Sequence, residues 1–455
     1  MTRKAVIIGF GTMAKNHARV LNATGKEHDA ELVAFSRTDK PIVTDFGVIP
    51  SKEAAELKIS QANDQLRKLI DHELRGYSDY REMIDKERPD IAFICSPDEF
   101  HLENIKYCIE NKVTGIYCEK PLALPSQVRE ARKLLLRIAR KNDINFGLNL
   151  QLSAIPLAVK DKKLFPGKNY EEIVQSAQSF EVAWSSALKE KEDDMHMMDS
   201  IYTITDLGPH VFSLIPNIFS SIPHKKRKRK TVLVDDYKKD KKEVTIKFQN
   251  GQITLSRKTT KDEANKNRKW NFYDGGDHEF NYEWRDGNCF LVHTYNSADI
   301  DTIQIEDPLS LSIKSFLKRK PIVGISRALD NLYNLEAVVE AHELYNAAKR
   351  AFKAKLGILG KENYELMFRA YWPCLNAVIK EEVLEDKEFK EYATYHPEIL
   401  KEVVRYVPRS SGEEIKDLAS KIYDDKISKD KIKGLHDLIK SNIFDYLGLK
   451  KLKTA

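Results

Sequence analysis

Ala5-Val6-Ile7-Ile8-Gly9-Phe10-Gly11-Thr12-Met13-Ala14 is the stretch on which the fold turns. Lys4–Ile8 is a short apolar run that stops at two glycines, and Met13–Asn22 then carries a helical pattern. A strand that ends in Gly-x-Gly and opens a helix lets the backbone turn tightly and approach a ligand closely. The helix start adds unbonded N–H groups and the positive end of the helix dipole, which together suit a pyrophosphate. Ala14 stands at the third position of the pattern, which tolerates it. Gly9, Phe10, Gly11, Thr12 and Met13 are therefore the candidate cradle for a dinucleotide, set against the plainer reading of a structural strand–turn–helix.

Beyond this stretch, strand and helix signals keep alternating. Glu31–Ser36, Asp90–Ser96, Gly115–Cys118 and Asn145–Leu150 read as strands, and the charged stretch between Pro50 and Gly76 reads as a crossover helix. Such alternation predicts a parallel sheet with right-handed crossovers over residues 1–150. From about Ser176 the period changes. Ser179–Ser185 alternates, Asn250-Gly251 separates two alternating arms in Val244–Leu255, and Asp274-Gly275-Gly276 separates the aromatic arms of Phe272–Trp284. These are hairpin signals, and with Gly287–Tyr295 they predict an α+β domain with an open antiparallel sheet over 151–354. A closing helix spans about 326–353, and a helical extension fills 355–455. The extension's apolar stripes (Tyr364, Phe368, Tyr371, Trp372; Ile399, Val403, Val404) need burial in a small bundle, against a sheet face or in an assembly.

Size and composition bound the rest. A chain of 455 residues suits about two to four domains and buries enough core to fold without metal or disulfide. Its net charge of +6, with both signs dispersed, is too weak to imply a nucleic-acid or membrane partner. Lys225–Lys230 (KKRKRK) is the one basic run, and it lacks the interleaved aromatics that would stack bases. Five cysteines without a CxxC pair suit a reducing compartment. No long uncharged apolar run predicts a membrane span. A strand signal right at the first residues leaves no room for a signal peptide, so the expected address is the cytoplasm. His196 among Met195, Met197 and Met198 lacks the spacing of a metal site, and no metal is expected.

Three further motifs carry chemistry. At the end of the second strand stand Ser36 and Arg37, where an NAD site usually carries an acidic residue for the ribose hydroxyl. Arg37 suits a 2′-phosphate and Ser36 can donate to it, so NADP(H) is favoured over NAD(H). Cys95-Ser96-Pro97 with His101, and Glu119-Lys120-Pro121, each close a strand on the carboxyl edge of the sheet, where open α/β folds bind ligands. Asp206 and His210 share a helix face at (i, i+4) spacing, where a carboxylate can orient an imidazole and raise its basicity. Asn149, Trp184 and His293 are candidate substrate contacts, although for Trp184 and His293, on strands, a core or surface place is the stronger reading.

Together these motifs resemble the glucose–fructose oxidoreductase / inositol dehydrogenase / rhizopine catabolism (Gfo/Idh/MocA) family. The resemblance runs from GFGTMA through PDIAFICSPDEFHLENIKYCIENKVTGIYCEKPLA to DLGPH, and on to RALDNLYNLEAVVEAHELYNAAK, roughly residues 1–350. It implies hydride transfer between a nicotinamide and a carbonyl or alcohol carbon of a sugar, cyclitol or sugar derivative. It implies that Lys120, Asp206 and His210 are catalytic, that Lys120–Pro121 is cis, and that the chain forms a homo-oligomer, a dimer or tetramer. Two departures fall near the expected substrate pocket: Met198-Asp199-Ser200-Ile201 replaces a glycine pair, and Gly147-Leu148-Asn149-Leu150-Gln151 lacks an arginine. The alternatives are an NAD-dependent glycoside hydrolase on the same scaffold and a non-catalytic dinucleotide- or sugar-sensing regulator.

Overall fold

The computed structural model describes residues 2–36, 42–44, 47–49, 51–141, 143–187, 200–214, 233–238, 243–248, 251–258, 268–356, 361–379, 398–410, 414–415, 417 and 429–447. Arg37, the basic run 225–230 and the methionine cluster around His196 lie outside them.

The first sheet comprises β1 (Arg3–Ile8), β2 (Ala30–Ser36), β5 (Arg75–Tyr77), β6 (Ile91–Ile94), β7 (Gly115–Cys118) and β8 (Asn145–Leu148), in the order β5-β2-β1-β6-β7-β8. Every pairing is parallel. A separate antiparallel pair, β3 (Ile42–Thr44) and β4 (Gly47–Ile49), follows β2. The continuous burial of β6 (IAFI) and β7 (GIYC) is what a sheet covered on both faces requires. Its helices are α1 (Thr12–Thr24), α2 (Ser51–Leu66), α3 (Tyr80–Glu87), α4 (His101–Glu110) and α5 (Val128–Ile138). α3 starts where Asp79 accepts a hydrogen bond from Arg81 N at 2.8 Å, a side-chain cap. The strand order reverses between β1 and β6, which opens a crevice beyond their carboxyl ends.

The second sheet has eight strands: β9 (Ser179–Ala187), β10 (Leu233–Lys238), β11 (Glu243–Phe248), β12 (Gly251–Lys258), β13 (Lys269–Tyr273), β14 (Asp277–Arg285), β15 (Asn288–Tyr295) and β16 (Ala298–Ile305). They run in the order β10-β11-β12-β9-β13-β14-β15-β16. The strands flanking both expected hairpin turns are neighbours in the sheet, and β13, β14, β15 and β16 pair antiparallel. The sheet is nevertheless mixed, because β12 pairs with β9 in parallel. The physical reason is the crossover between them, which contains α8 (Ser200–Leu214). Trp270, Phe272, Phe280 and Leu291 fill the buried face. Short helices α6 (Ile155–Ala158) and α7 (Tyr170–Ser176) precede β9, and the Tyr170 hydroxyl accepts from Trp270 Nε1 at 3.0 Å.

After β16 the chain returns to the first sheet. α9 (Pro308–Leu317) opens with Asp307 accepting from Leu309 N at 3.0 Å and with Pro308 in its first turn. Its face of Leu309, Ile313, Phe316 and Leu317 packs with Ala5, Ile7, Phe93 and Tyr117. Ser312 bonds the Tyr117 hydroxyl at 2.7 Å. α10 (Ile325–Leu356) begins the closing segment.

By contact density the chain forms two units, Met1–Pro223 with Asp236–Thr245 and Asn250–Glu336, and His224–Asp235 with Ile246–Gln249 and Ala337–Ala455. The boundary falls inside α10, so its later turns belong with the C-terminal helices. There α11 (Lys361–Val378), α12 (Glu398–Ser410) and α13 (Lys429–Leu447) share a core of Phe352, Phe368, Tyr371, Val403, Val404, Leu435 and Ile439 with the end of α10. Among the described residues no helix is long and apolar enough to cross a membrane, and all five cysteines are free thiols.

Candidate functional site

The site is built on the turn from β1 to α1. Gly9 has φ +92°, and a Cβ there would stand 2.6 Å from Ser96 N and 2.7 Å from Cys95 O, all backbone. Only glycine fits, because both the conformation and the close approach of β6 demand it. Gly9 N donates to Ser36 Oγ at 3.3 Å, which ties the turn to the end of β2 and leaves Ser36 its own proton to donate. Gly11, by contrast, meets nothing among the described residues: a Cβ there finds none of their atoms within 4 Å. It caps α1 without any side-chain bond, and no acidic residue occupies the first turn. No described side chain caps the N–H groups of that turn, which suits them to an anionic ligand. Phe10 lies against Phe35 with ring centroids 5.0 Å apart. Thr12 is exposed and Met13 half-buried.

Beside this turn lies a cavity of about 240 Å³ lined by Gly9, Ser36, Tyr80, Ser96, Glu103 and Asn104 among others. Backbone at the glycine turn and hydroxyls at two strand ends are the chemistry of a nucleotide's sugar and phosphates. The residues present fit a dinucleotide.

The other strand ends divide into those that face this cavity and those that brace it. Ser96 Oγ accepts from Asn104 Nδ2 at 2.7 Å at the cavity wall. His101 is fully buried and reaches the Ser96 carbonyl through Nε2 at 2.9 Å and the Pro121 carbonyl through Nδ1 at 2.7 Å. It thus staples the loop after β6, with Pro97, to the loop after β7. Cys95 N donates to Ile8 O at 2.8 Å, and burial raises the Cys95 thiol well above its ordinary pKa. The Lys120–Pro121 bond is cis, and Lys120 is half-buried.

Glu119, grouped by sequence with the cofactor contacts, turns inward. Its Oε1 accepts from Asn149 Nδ2 at 2.6 Å and contacts His17 Nε2 at 2.5 Å, while Oε2 accepts from Lys120 N at 3.3 Å. Burial works against its charge, yet the bonds from His17 and Asn149 bring its pKa below the ordinary carboxylate value. Asn149 is 1% exposed and accepts from the Tyr117 hydroxyl at 3.1 Å, so both ends of its amide are engaged within the domain. His17 was absent from the sequence-based candidates. Its signal is a polar residue on the buried stripe Ala14, His17, Ala18, Leu21 of α1. Possible ligand atoms of His17, Cys95 and Glu119 lie within 4.8 Å of one another, but His17 and Glu119 are already bonded together.

α8 carries Asp206 and His210 at its (i, i+4) positions, with Pro209 inside the helix. His210 is half-buried, and the Asp206 side chain lies outside the described residues. Asn331 of α10 donates to Pro209 O at 3.0 Å and anchors this turn. The remaining candidates sit in the second sheet. Trp184 is 6% exposed, between Trp270 and the Arg268 guanidinium. His293 is fully buried and bonded to His278. The structure thus gathers Gly9, Ser36 and Ser96 around one cavity, and turns His101, Glu119, Asn149, Trp184 and His293 into the protein.

Residues 3–149 match the Gfo/Idh/MocA oxidoreductase family, NAD-binding Rossmann fold. The match covers the N-terminal domain, whose parallel sheet and glycine turn have the Rossmann form that the family description names. Among solved structures, the chain resembles UDP-N-acetylglucosamine 3-dehydrogenase GnnA from Acidithiobacillus ferrooxidans, with a TM-score of 0.52, 14% identity, and coverage of 75% of this chain and 98% of that one. It also resembles an NAD-binding oxidoreductase from Klebsiella pneumoniae, with a TM-score of 0.51, 12% identity, and coverage of 75% and 97%. At such identities the likeness is one of fold. No curated protein matches the chain.

Proposed function

We propose that this protein is an NADP(H)-preferring dehydrogenase or reductase acting on a carbonyl or alcohol carbon of a sugar, cyclitol or sugar derivative. The observation that carries the reading is the Gly9–Gly11 turn, open at Gly11 and bordering a cavity shared with Ser36 and Ser96. Gly9, Phe10, Gly11, Thr12 and Met13 hold the pyrophosphate. Ser36 and Arg37 hold the 2′-phosphate, and Ser96 and Pro97 border the ribose.

When bound, a nicotinamide cofactor supplies or accepts the hydride. The chain's own residues handle the proton. His210 exchanges it with the substrate oxygen, Lys120 hydrogen-bonds the same oxygen, and Asp206 orients His210. Glu119 acts one step back: it accepts from Lys120 N and so fixes the backbone from which the lysine projects. A sugar-nucleotide dehydrogenase among the structures of like fold is compatible with this substrate class.

The test is turnover followed at the nicotinamide absorbance with a panel of sugars, cyclitols and their nucleotide derivatives. General acid–base help is worth roughly 10²–10⁴-fold, so His210→Ala is expected to lose activity by about that factor with cofactor binding intact. Unchanged turnover in His210→Ala removes His210 from the reaction. Arg37→Ala is expected to weaken NADPH more than NADH, and equal weakening overturns the 2′-phosphate assignment.

A further inference from the structure

The second sheet contains a line of titratable groups that the proposed reaction does not use. Asp274, in the β13–β14 turn, takes the Lys168 ammonium at 2.5 Å and the Ser176 hydroxyl at 2.8 Å on Oδ2. Its Oδ1 lies 3.2 Å from His278 Nε2. His278 Nδ1 lies 3.1 Å from His293 Nε2. His293 Nδ1 lies 3.5 Å from Asp301 Oδ2, across the register pair His293–Asp301 of β15 and β16. Asp301 Oδ2 also accepts from Phe165 N at 3.2 Å. Both imidazoles are fully buried. Their planes differ by 16° and their centroids are 5.3 Å apart, much farther than the nitrogens, so they meet edge to edge in nearly one plane.

Two neutral rings carry two protons for three links, so one link is left without a proton. Carboxylates only accept, and a neutral imidazole donates from one nitrogen and accepts at the other. The count alone allows the gap at any link; the contact lengths place it at Asp301, with Asp274 taking the proton on His278 Nε2 and His278 Nδ1 the proton on His293 Nε2. Nothing remains for the last link, so His293 Nδ1 presents a lone pair to a carboxylate. That contact is the longest of the three, and His293 Nδ1 is a buried nitrogen without a hydrogen-bond partner. Burial lowers the pKa of both histidines, against the pull of Asp274 on His278 and of Asp301 on His293. The other charged groups facing the pair are Lys168 and Asp277. Tyr295 and Phe280 cover the rings, at centroid distances of 4.8 Å from His278 and 4.7 Å from His293.

We propose that Asp274–His278–His293–Asp301 is a two-imidazole relay with one empty proton position, His293 Nδ1, and that filling it on acidification locks the 164–168 turn to the sheet. Both ends of the relay hold that turn: Asp301 through Phe165 N, and Asp274 through Lys168. One proton entering from solvent past half-buried Asp301 completes the third bond and places a single positive charge between two carboxylates. Above the transition the Asp301 end is slack.

The test is histidine-ring nitrogen NMR on the whole protein, with His293→Gln used only to assign signals. Near pH 7.5 both rings are expected as the Nε2–H form. On acidification one proton is expected for the pair, appearing first on His293 Nδ1, with a midpoint below that of an ordinary histidine. Amide exchange at Phe165, corrected for its intrinsic pH dependence, is expected to slow by about tenfold across the same midpoint, the worth of one charge-assisted bond. Asp301→Asn removes the charge, and its amide can donate to His293 Nδ1 only from the position that now accepts from Phe165 N, so exchange at Phe165 should be fast and should lose its pH dependence. Two independent ordinary titrations, an Nδ1–H form at neutral pH, or exchange at Phe165 that ignores the midpoint would each overturn the relay.

Discussion

Gly9 and Gly275 sit at turns of the two sheets with nearly the same backbone, φ +92° and +106°, and they do opposite things. At Gly9 the absent side chain is filled by the backbone of Cys95 and Ser96. At Gly275, between β13 and β14, a Cβ would meet nothing within 4 Å. The first glycine is required by close approach as well as conformation, the second by conformation alone. The parallel sheet therefore concentrates its constraints at its carboxyl edge, where strand ends, a helix start and a ligand compete for one place. In the hairpin turn only Gly275 faces open space, while Asp274 and Gly276 beside it are packed.

Alanine at each glycine separates the two turns. Gly9→Ala is expected to cost about 4 kcal/mol of stability, from backbone collision on top of conformational strain, and to abolish dinucleotide binding. Thermal unfolding and nicotinamide fluorescence read the two effects separately. Next in size is Glu119→Gln, expected to cost about 2 kcal/mol because His17 and Asn149 lose an ionised acceptor in a buried site. This carboxylate has a lowered pKa in the folded protein. Its contribution is complete above the unfolded carboxylate value and is lost as pH falls through the folded one. Acid unfolding of Glu119→Gln should accordingly be flatter in that range than that of the parent. Gly275→Ala is the smallest, about 1 kcal/mol, with binding unchanged. If it proves as costly as Gly9→Ala, closeness of backbone is not what separates the two turns.

Much of the first sheet is legible in sequence because its strands are short apolar runs closed by glycines or by Ser-Pro and Lys-Pro, and local chemistry fixes where each ends. The hairpins announce themselves through Asn250-Gly251 and Gly275-Gly276. The parallel pairing of β9 with β12 does not, since register across a long crossover is set by packing rather than by turn residues. Nor does the return of α9 to the first sheet, where Phe316 and Ser312 complete a core begun some three hundred residues earlier. At the site, types and spacing pick out the strand ends but not which way a side chain turns. Ser96 faces the cavity, whereas His101 and Glu119, each in the same motif, spend their hydrogen bonds holding loops together. His17 escapes a motif-based reading because its partner lies 102 positions away.

Whether the glycine turn holds a dinucleotide is decided by a fluorescence titration of the purified protein with NADPH and NADH, after removal of any co-purified cofactor. Saturable binding, tighter for NADPH and absent in Gly9→Ala but kept in Gly275→Ala, is the predicted result. No binding of either nucleotide by the folded parent protein would contradict it and leave the turn a structural one.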